Sequence, residues 1–215
     1  MKKVIVVGSG GHAKVVIDIL QEMKDFEIIG VTSNSLDINS RFGEYAVLGE
    51  DAVIKDFAIE GIYYAVMGLG GYRDNILRKT VFDLVKGMGM SFINAIHPSA
   101  IISKTAKLGE GVVIFPGVII NTDVQIGNNT IIATGSTIDH ETIIGDHVLV
   151  SAGVTIGAYS KINDNAVIAL GAKAVSGIII GNNALVAAGA VVIKDVLPNE
   201  TVYGIPAVPK NIDNG

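Results

Sequence analysis

From Ile102 onward the chain places an aliphatic residue at every sixth position without a slip. The series runs Ile102, Leu108, Ile114, Ile120, Ile126, Ile132, Ile138, Ile144, Val150, Ile156, Ile162, Ile168, Ala174, Ile180, Val186 and Val192, and only Ala174 departs from Leu, Ile or Val. The fifth residue of a block is small or β-branched, as at Ala106, Thr130, Ser136, Thr142, Ser160 and Ala166. An amphipathic helix repeats about every 3.6 residues and a half-buried strand every two, so a strict period of six fits neither. It predicts short parallel strands stacked as a β-helix.

A longer period lies over the first. Gly109, Gly127, Gly145 and Gly181, with Asn163 filling the gap, recur in steps of eighteen, and so do Gly117, Gly135, Gly153, Gly171 and Gly189. Eighteen is three hexads, so each coil has three faces and three corners. Both ladders read as corner positions that need a left-handed backbone.

The first hundred residues follow other rules. Val4–Val7 is a buried-strand pattern. Gly8-Ser9-Gly10-Gly11-His12 then turns into a helix marked by Val15, Val16, Ile19 and Leu20. Strands follow at Glu27–Val31 and Gly61–Met67. A second glycine turn, Gly68-Leu69-Gly70-Gly71, enters a helix from about Tyr72 to Lys86, and Phe92-Ile93 closes the region as a last strand. Strand, glycine turn and helix open a Rossmann-like unit. The expected organisation is an α/β Rossmann-like domain over residues 1–96 and an all-β parallel β-helix over 97–197. A tail over 198–215, broken by Pro198 and Pro206, caps the last coil. His97 precedes Pro98, which favours an extended linker in which His97 is structural.

Composition narrows the functional classes. Hydrophobic residues make up 49 % of the chain, yet no run approaches the ~18–20 apolar residues of a membrane helix, so the excess lines a core. Met1-Lys2-Lys3 before Val4–Val7 is too short a prelude for a signal peptide. The absence of cysteine excludes disulfides and thiolate metal sites and fits the cytoplasm. A net charge of −5 without a basic cluster argues against a nucleic-acid partner.

The glycine turn admits two readings. It can hold a phosphate at a helix N-terminus, or it can be a tight connection without a ligand. A dinucleotide fingerprint would have a third glycine where Ala13 and Lys14 follow, and an acidic residue where Thr32 and Ser33 stand, so NAD is disfavoured. His12 either contacts a ligand or caps the turn, and the cap is the simpler reading. In the repeat, His140 is the third residue of its hexad and faces outward near a corner, between Asp139 and Glu141 and over the smaller Thr122 and Ala158. A carboxylate accepting its Nδ1–H would fix the tautomer and leave Nε2 as a base; the alternative is an exposed polar residue on a sheet face. His147 shares its ladder with Asn129, Asn165 and Asn183 and reads as a turn residue standing in for Asn. Two widely spaced imidazoles without a third make no metal site.

Val4–Val16, the linker His97-Pro98-Ser99-Ala100 and the hexads bearing Ile138-Asp139-His140-Glu141 together resemble one family over nearly the whole chain. It is the hexapeptide-repeat sugar acetyltransferases, typified by the UDP-4-amino-sugar N-acetyltransferase of bacillosamine biosynthesis and the sialic acid O-acetyltransferases. The resemblance implies that the β-helix is left-handed and trimerises, with acetyl-CoA between two subunits, and that the α/β domain binds a nucleotide-sugar. It implies His140 as general base and Glu141 as its carboxylate. Gly10, Gly11, His12, Gly68 and Arg73 fall on the substrate-binding turns, and Ala158, Leu170 and Ala188 on the acetyl-CoA track. Leu149 stands where the family commonly has a second histidine near the thioester, and Thr32 and Ser33 where it often has paired aspartates that contact the nucleotide. The expected activity is acetyl-CoA-dependent N-acetylation of a UDP-4-amino-sugar in surface glycan biosynthesis. The alternatives are O-acetylation of a sialic acid and, from another class, a trimeric sugar-nucleotide scaffold without catalysis.

Overall fold

A computed structural model describes residues 1–210 of the 215, so residues 211–215 of the expected tail lie outside the described part. The chain divides into two compact units, Met1–Gly71 with Ile76–Pro98, and Tyr72–Asn75 with the chain from Ser99 on. No helix among the described residues is long and apolar enough to cross a membrane.

The first unit runs β1 (Lys2–Val7), α1 (Gly11–Met23), β2 (Phe26–Thr32), β3 (Arg41–Phe42), β4 (Tyr45–Gly49), a 3₁₀ turn (Asp51–Val53), α2 (Ile54–Ile59), β5 (Tyr64–Met67), α3 (Ile76–Gly87) and β6 (Ser91–Phe92). The sheet order is β3-β4-β2-β1-β5-β6, parallel except for the β3–β4 hairpin. Central β1 is apolar on both faces, Val4 to Val7 being fully buried, as a parallel strand covered on both sides requires. Helix α1 turns Ala13, Val16, Ile17, Ile19 and Leu20 inward. On α3, Val81, Phe82 and Val85 join Ile5, Val7, Met67 and Phe92 in one core, where Phe82 stacks on Phe92 with ring centroids 4.5 Å apart. A Cβ on Gly68 would press on Val6, Ala13 and the Gly8 carbonyl, so this glycine permits strand and helix to approach closely.

Three details differ from the sequence reading. α3 begins at Ile76 because Tyr72–Asn75 packs with the second unit, where the buried Asn75 side chain donates to the His147 carbonyl at 2.7 Å. The β3–β4 hairpin and α2 carry too few residues for a periodic signal. His12 is not at the N-cap position: Gly10 holds it, without a side-chain bond, and His12 lies inside the first turn.

The second unit is a parallel β-helix of two-residue strands. One face stacks Ile101–Ile102, Ile119–Ile120, Thr137–Ile138, Thr155–Ile156, Lys173–Ala174 and Val191–Val192; the other two faces repeat the arrangement from Lys107–Leu108 and Val113–Ile114. Register is eighteen from Ile101 to Val192, as Ile120↔Ile138 and Ile138↔Ile156 show, and shortens to sixteen where Leu185 pairs with Thr201. The leading aliphatics fill the interior: Ile114, Ile120, Ile132, Ile138 and Ile144 are essentially fully buried. The fifth residues turn inward at the corners, and their hydroxyls satisfy carbonyls that would otherwise be buried without a partner. Thr130 donates to the Gly145 carbonyl at 2.9 Å, Ser136 to Ser151 at 2.8 Å and Thr142 to Gly157 at 3.1 Å.

The two glycine ladders have different physical causes, which corrects the common cause expected above. Gly117, Gly135, Gly153, Gly171 and Gly189 are left-handed, with φ between 66° and 71°. Gly109, Gly127 and Gly145 are not. There the side chain of Asn128, Asp146 or Asp164 on the next rung closes in to accept a backbone N–H, as Asp146 does from Asn128 at 2.6 Å, and a Cβ would collide with it. The left-handed residues at that corner are Gly111, Asn129, His147, Asn165 and Asn183, so His147 holds a place otherwise held by glycine or asparagine. At the end of the stack Thr201–Tyr203 adds in parallel to Leu185–Val186, and Val208–Pro209 turns back antiparallel to it. The chain after Pro198 thus continues the sheet.

Candidate functional site

In the first unit a pocket of about 280 Å³ lies between the glycine turn (Gly8, Ser9, Gly10), Ser33 to Ser35 after β2, and Asp51, with Leu69 and Leu77 on its apolar side. The 13-residue α1 starts here with no side-chain cap and no acid in its first turn, an end suited to an anion. Thr32 is fully buried; its hydroxyl accepts the Gly8 N–H at 3.0 Å and donates to Asp51 Oδ1 at 2.5 Å. Ser33 Oγ accepts from Ser9 Oγ at 2.7 Å and from the Leu36 N–H at 3.0 Å. Thr32 therefore braces the turn, while Ser33 lines the pocket. No acid stands at the end of β2, but Asp51, nineteen residues beyond Thr32, brings a carboxylate to the same pocket.

Behind the pocket, Nε2 of His12 is sealed from solvent although the residue keeps partial exposure. Burial, with the nearby Arg78 charge, lowers its pKa to about 3, so the ring is neutral. Arg78 on α3 is buried, donates to the Leu69 carbonyl, and is pushed down to about 9 by desolvation. Of the two arginines after the second glycine turn, Arg78 thus supports that turn. Arg73 lies exposed in the Tyr72–Asn75 segment of the other unit, with its guanidinium 5.7 Å from the Tyr72 ring centroid. Sequence reasoning missed Asp51 and Arg78; the spacing of Arg78 on the buried face of α3, with Val81, Phe82 and Val85, was the available signal.

In the β-helix, His140 lies at the corner between the strands Thr137–Ile138 and Ile143–Ile144, its side chain 41 % exposed. Its Nδ1 is 3.2 Å from Glu141 Oε2. The carboxylate selects the Nδ1–H tautomer and leaves Nε2 as the acceptor, an assignment made from this hydrogen bond. Asp139 serves elsewhere: its Oδ1 accepts the His140 N–H at 2.8 Å and the Asn121 amide at 3.0 Å, and these bonds hold its carboxyl below the usual value. Tyr159, one rung above Glu141, sets its ring edge-on to the imidazole, centroids 5.0 Å apart at 87°. His147 lies at a different corner, buried, its Nδ1 3.0 Å from the Asn129 amide.

The four residues expected along an acetyl-CoA track do not share one surface of a single chain. Ala158 is buried one rung above His140, and Leu149 is buried on a face between Ile131 and Val167. Leu170 and Ala188 are exposed at another corner, beside Gly171 and Gly189. Among the described residues no group of three or more His, Asp and Glu side chains could hold a metal ion.

Residues 3–85 match the PglD N-terminal domain, and residues 105–140 match the bacterial transferase hexapeptide (six repeats). The chain is 34 % identical over 115 residues to UDP-N-acetylbacillosamine N-acetyltransferase of Bacillus subtilis (strain 168), a match that covers 53 % of this chain and spans about half, 51 %, of that relative. A variant of perosamine N-acetyltransferase from Caulobacter crescentus, solved in complex with CoA and GDP-perosamine, superposes with a TM-score of 0.91 at 30 % identity over 98 % of both chains. The acetyltransferase domain of PglB from Neisseria gonorrhoeae FA1090, in complex with acetyl coenzyme A, shares the fold, with a TM-score of 0.88 at 23 % identity over 97 % of this chain and 99 % of that one.

Proposed function

The chain belongs to the hexapeptide-repeat sugar acetyltransferases, and on that premise we propose that it transfers the acetyl group of acetyl-CoA to the amine of a nucleotide-linked 4-amino-sugar. The observation that carries this reading is the His140–Glu141 pair, an exposed imidazole whose Nδ1 is engaged by a carboxylate at 3.2 Å and whose Nε2 is left to take a proton. The α/β unit takes the nucleotide, with the diphosphate against the glycine turn and the nucleoside toward Ser33 and Asp51. The β-helix unit carries the base.

The amine nitrogen forms a bond to the thioester carbonyl carbon, and its surplus proton passes to His140 Nε2. The resulting oxyanion needs a donor. The Ala158 N–H, one rung above the imidazole, is spent on no interstrand bond among the described residues and is in place for that role. Collapse breaks the C–S bond, and the coenzyme A thiolate recovers the proton from the imidazolium. Glu141 stabilises that cation while it lasts. A neutral amine is itself nucleophilic, so positioning carries much of the acceleration.

A coenzyme track that uses both Ala158 and the corner of Leu170 and Ala188 draws those corners from two copies of the coil. We therefore place the sites in a homotrimer, and the enzyme in the cytoplasm, where acetyl-CoA and nucleotide-sugars are made. Turnover read as coenzyme A release, over a panel of UDP- and GDP-linked 4-amino-sugars and sialic acid, tests the reading. Amino-sugar turnover should fall on the order of 10²–10⁴-fold in His140→Ala. Near wild-type turnover in that variant overturns the mechanism, and acetylation of sialic acid alone would move the activity to O-acetylation.

A further inference from the structure

The corner that bears the base is unusual in composition. At the other two corners the left-handed positions are almost all glycine or asparagine, His147 being the exception. Here, on successive rungs, they are Asp123 (φ 58°), Glu141 (φ 55°), Tyr159 (φ 59°) and then Gly177 (φ 77°). A bulky aromatic in the left-handed region is disfavoured, and such strain persists where surrounding structure or function over-determines it. Tyr159 is also 61 % exposed, so burial of its ring in the chain's own core does not hold it there.

Three contacts do. The Tyr159 N–H donates to the His140 carbonyl at 3.1 Å. The ring meets the imidazole edge-on at 5.0 Å. The phenol faces the Glu141 carboxylate closely enough that hydrogen bonding to it and its negative charge raise the phenol's pKa. Glu141 thus pairs with His140 Nδ1–H on its own rung, at 3.2 Å, and faces the Tyr159 hydroxyl from the rung above.

We propose that Tyr159 is a positioning residue for the proposed reaction, holding the Glu141 carboxylate against His140 Nδ1 and bracing the imidazole so that Nε2 stays the basic atom. This rests on the reading of His140 as the base, and it assigns Tyr159 no contact with either substrate. Neighbouring Asp139 does not compete for the ring, because its carboxylate is bound to Asn121 and to the His140 backbone.

The test uses the full chain with Tyr159→Phe, Glu141→Gln and the double variant, assayed with acetyl-CoA and either GDP-perosamine or a UDP-linked 4-amino-sugar. Tyr159→Phe keeps the ring and removes only the hydroxyl. The expected result is a fall in kcat on the order of tenfold, with KM for acetyl-CoA changed by less than about twofold. In the Glu141→Gln background the same change should cost less than about twofold further, because the two residues act as one unit. Nitrogen NMR of the histidine ring at about pH 8, assigned by difference from His140→Ala, should show the neutral ring moving from Nδ1–H toward Nε2–H in Tyr159→Phe. Wild-type kcat and an unchanged tautomer in Tyr159→Phe, or losses that multiply in the double variant, would overturn the proposal. If instead no sugar is acetylated, or His140→Ala is fully active, the functional reading fails, while the tautomer measurement still reports on Tyr159.

Discussion

Asp51 and Thr32, nineteen residues apart, are joined by a 2.5 Å hydrogen bond from the threonine hydroxyl to Oδ1 of the acid, and the same hydroxyl accepts the Gly8 N–H at 3.0 Å. One buried side chain thereby ties the glycine turn to the far wall of the pocket. Thr32→Val keeps the shape and leaves the Gly8 N–H buried without its acceptor. It should destabilise the α/β unit by about 1–3 kcal/mol and weaken nucleotide-sugar binding, whereas Thr32→Ser should restore both. Urea unfolding and calorimetric titration with UDP- and GDP-linked sugars check it.

His12 makes stability depend on pH in a defined window. The unfolded chain binds a proton near the ordinary histidine value of 6.5, whereas the folded ring refuses it until about 3. The unfolded state therefore holds more protons between those values, and stability falls as pH drops through that window while staying flat above it. At about 1.4 kcal/mol per pH unit, the loss due to His12 amounts to about 2–3 kcal/mol by about pH 4.5. Urea midpoints should show a smaller drop between neutral and acid pH in His12→Gln than in the wild type.

Glu141→Gln retains an oxygen for His140 Nδ1–H but removes the charge that stabilises the imidazolium. The expected loss in kcat is on the order of 10–100-fold, smaller than for removal of the base itself. Steady-state kinetics on the purified variant decide the point, and loss of fold is controlled by an unchanged melting temperature.

The two glycine ladders should respond differently to the same substitution. Gly135→Ala meets no neighbour and bears only the strain of φ 68°, about 1–2 kcal/mol, and Gly135→Asn less. Gly127→Ala drives a methyl into the Asp146 carboxylate and the Gly145 carbonyl and disrupts the bond to the Asn128 N–H, which should cost about 2–4 kcal/mol. Here Asn gives no relief. Thermal unfolding of the four single variants separates the cases.

The β-helix was legible because burial repeats its demand on the sequence every six residues, and an error anywhere would break the frame. The juxtaposition of His140 and Glu141 at an outward corner was legible because they interrupt that frame with chemistry. Tyr159 was not: its role depends on which residue lies eighteen earlier and which corner both occupy, and the hexad pattern marks Tyr159 only as an exposed fourth residue. Asp51 was hidden for a related reason. The residues that join it to Thr32 form a short hairpin and a 3₁₀ turn, without periodicity, so nothing in the sequence measures the distance between them. Arg78 was missed and His12 left open because a polar residue on a helix is ordinarily solvated, and only the packing of α3 and α1 shows how far these two are buried.

Up to its last rung, each strand of the coil is bonded to those eighteen residues before and after it, so the prism measures its length in whole turns. Excising one complete turn, such as residues 161–178, would shorten the column yet leave His140 and Glu141 with their neighbours below and every later side chain facing as it did. Losing a single residue near Asn121 would instead swing all downstream aliphatics out of the interior and carry His140 off its corner. In this architecture a lesion of one residue is graver than a lesion of eighteen.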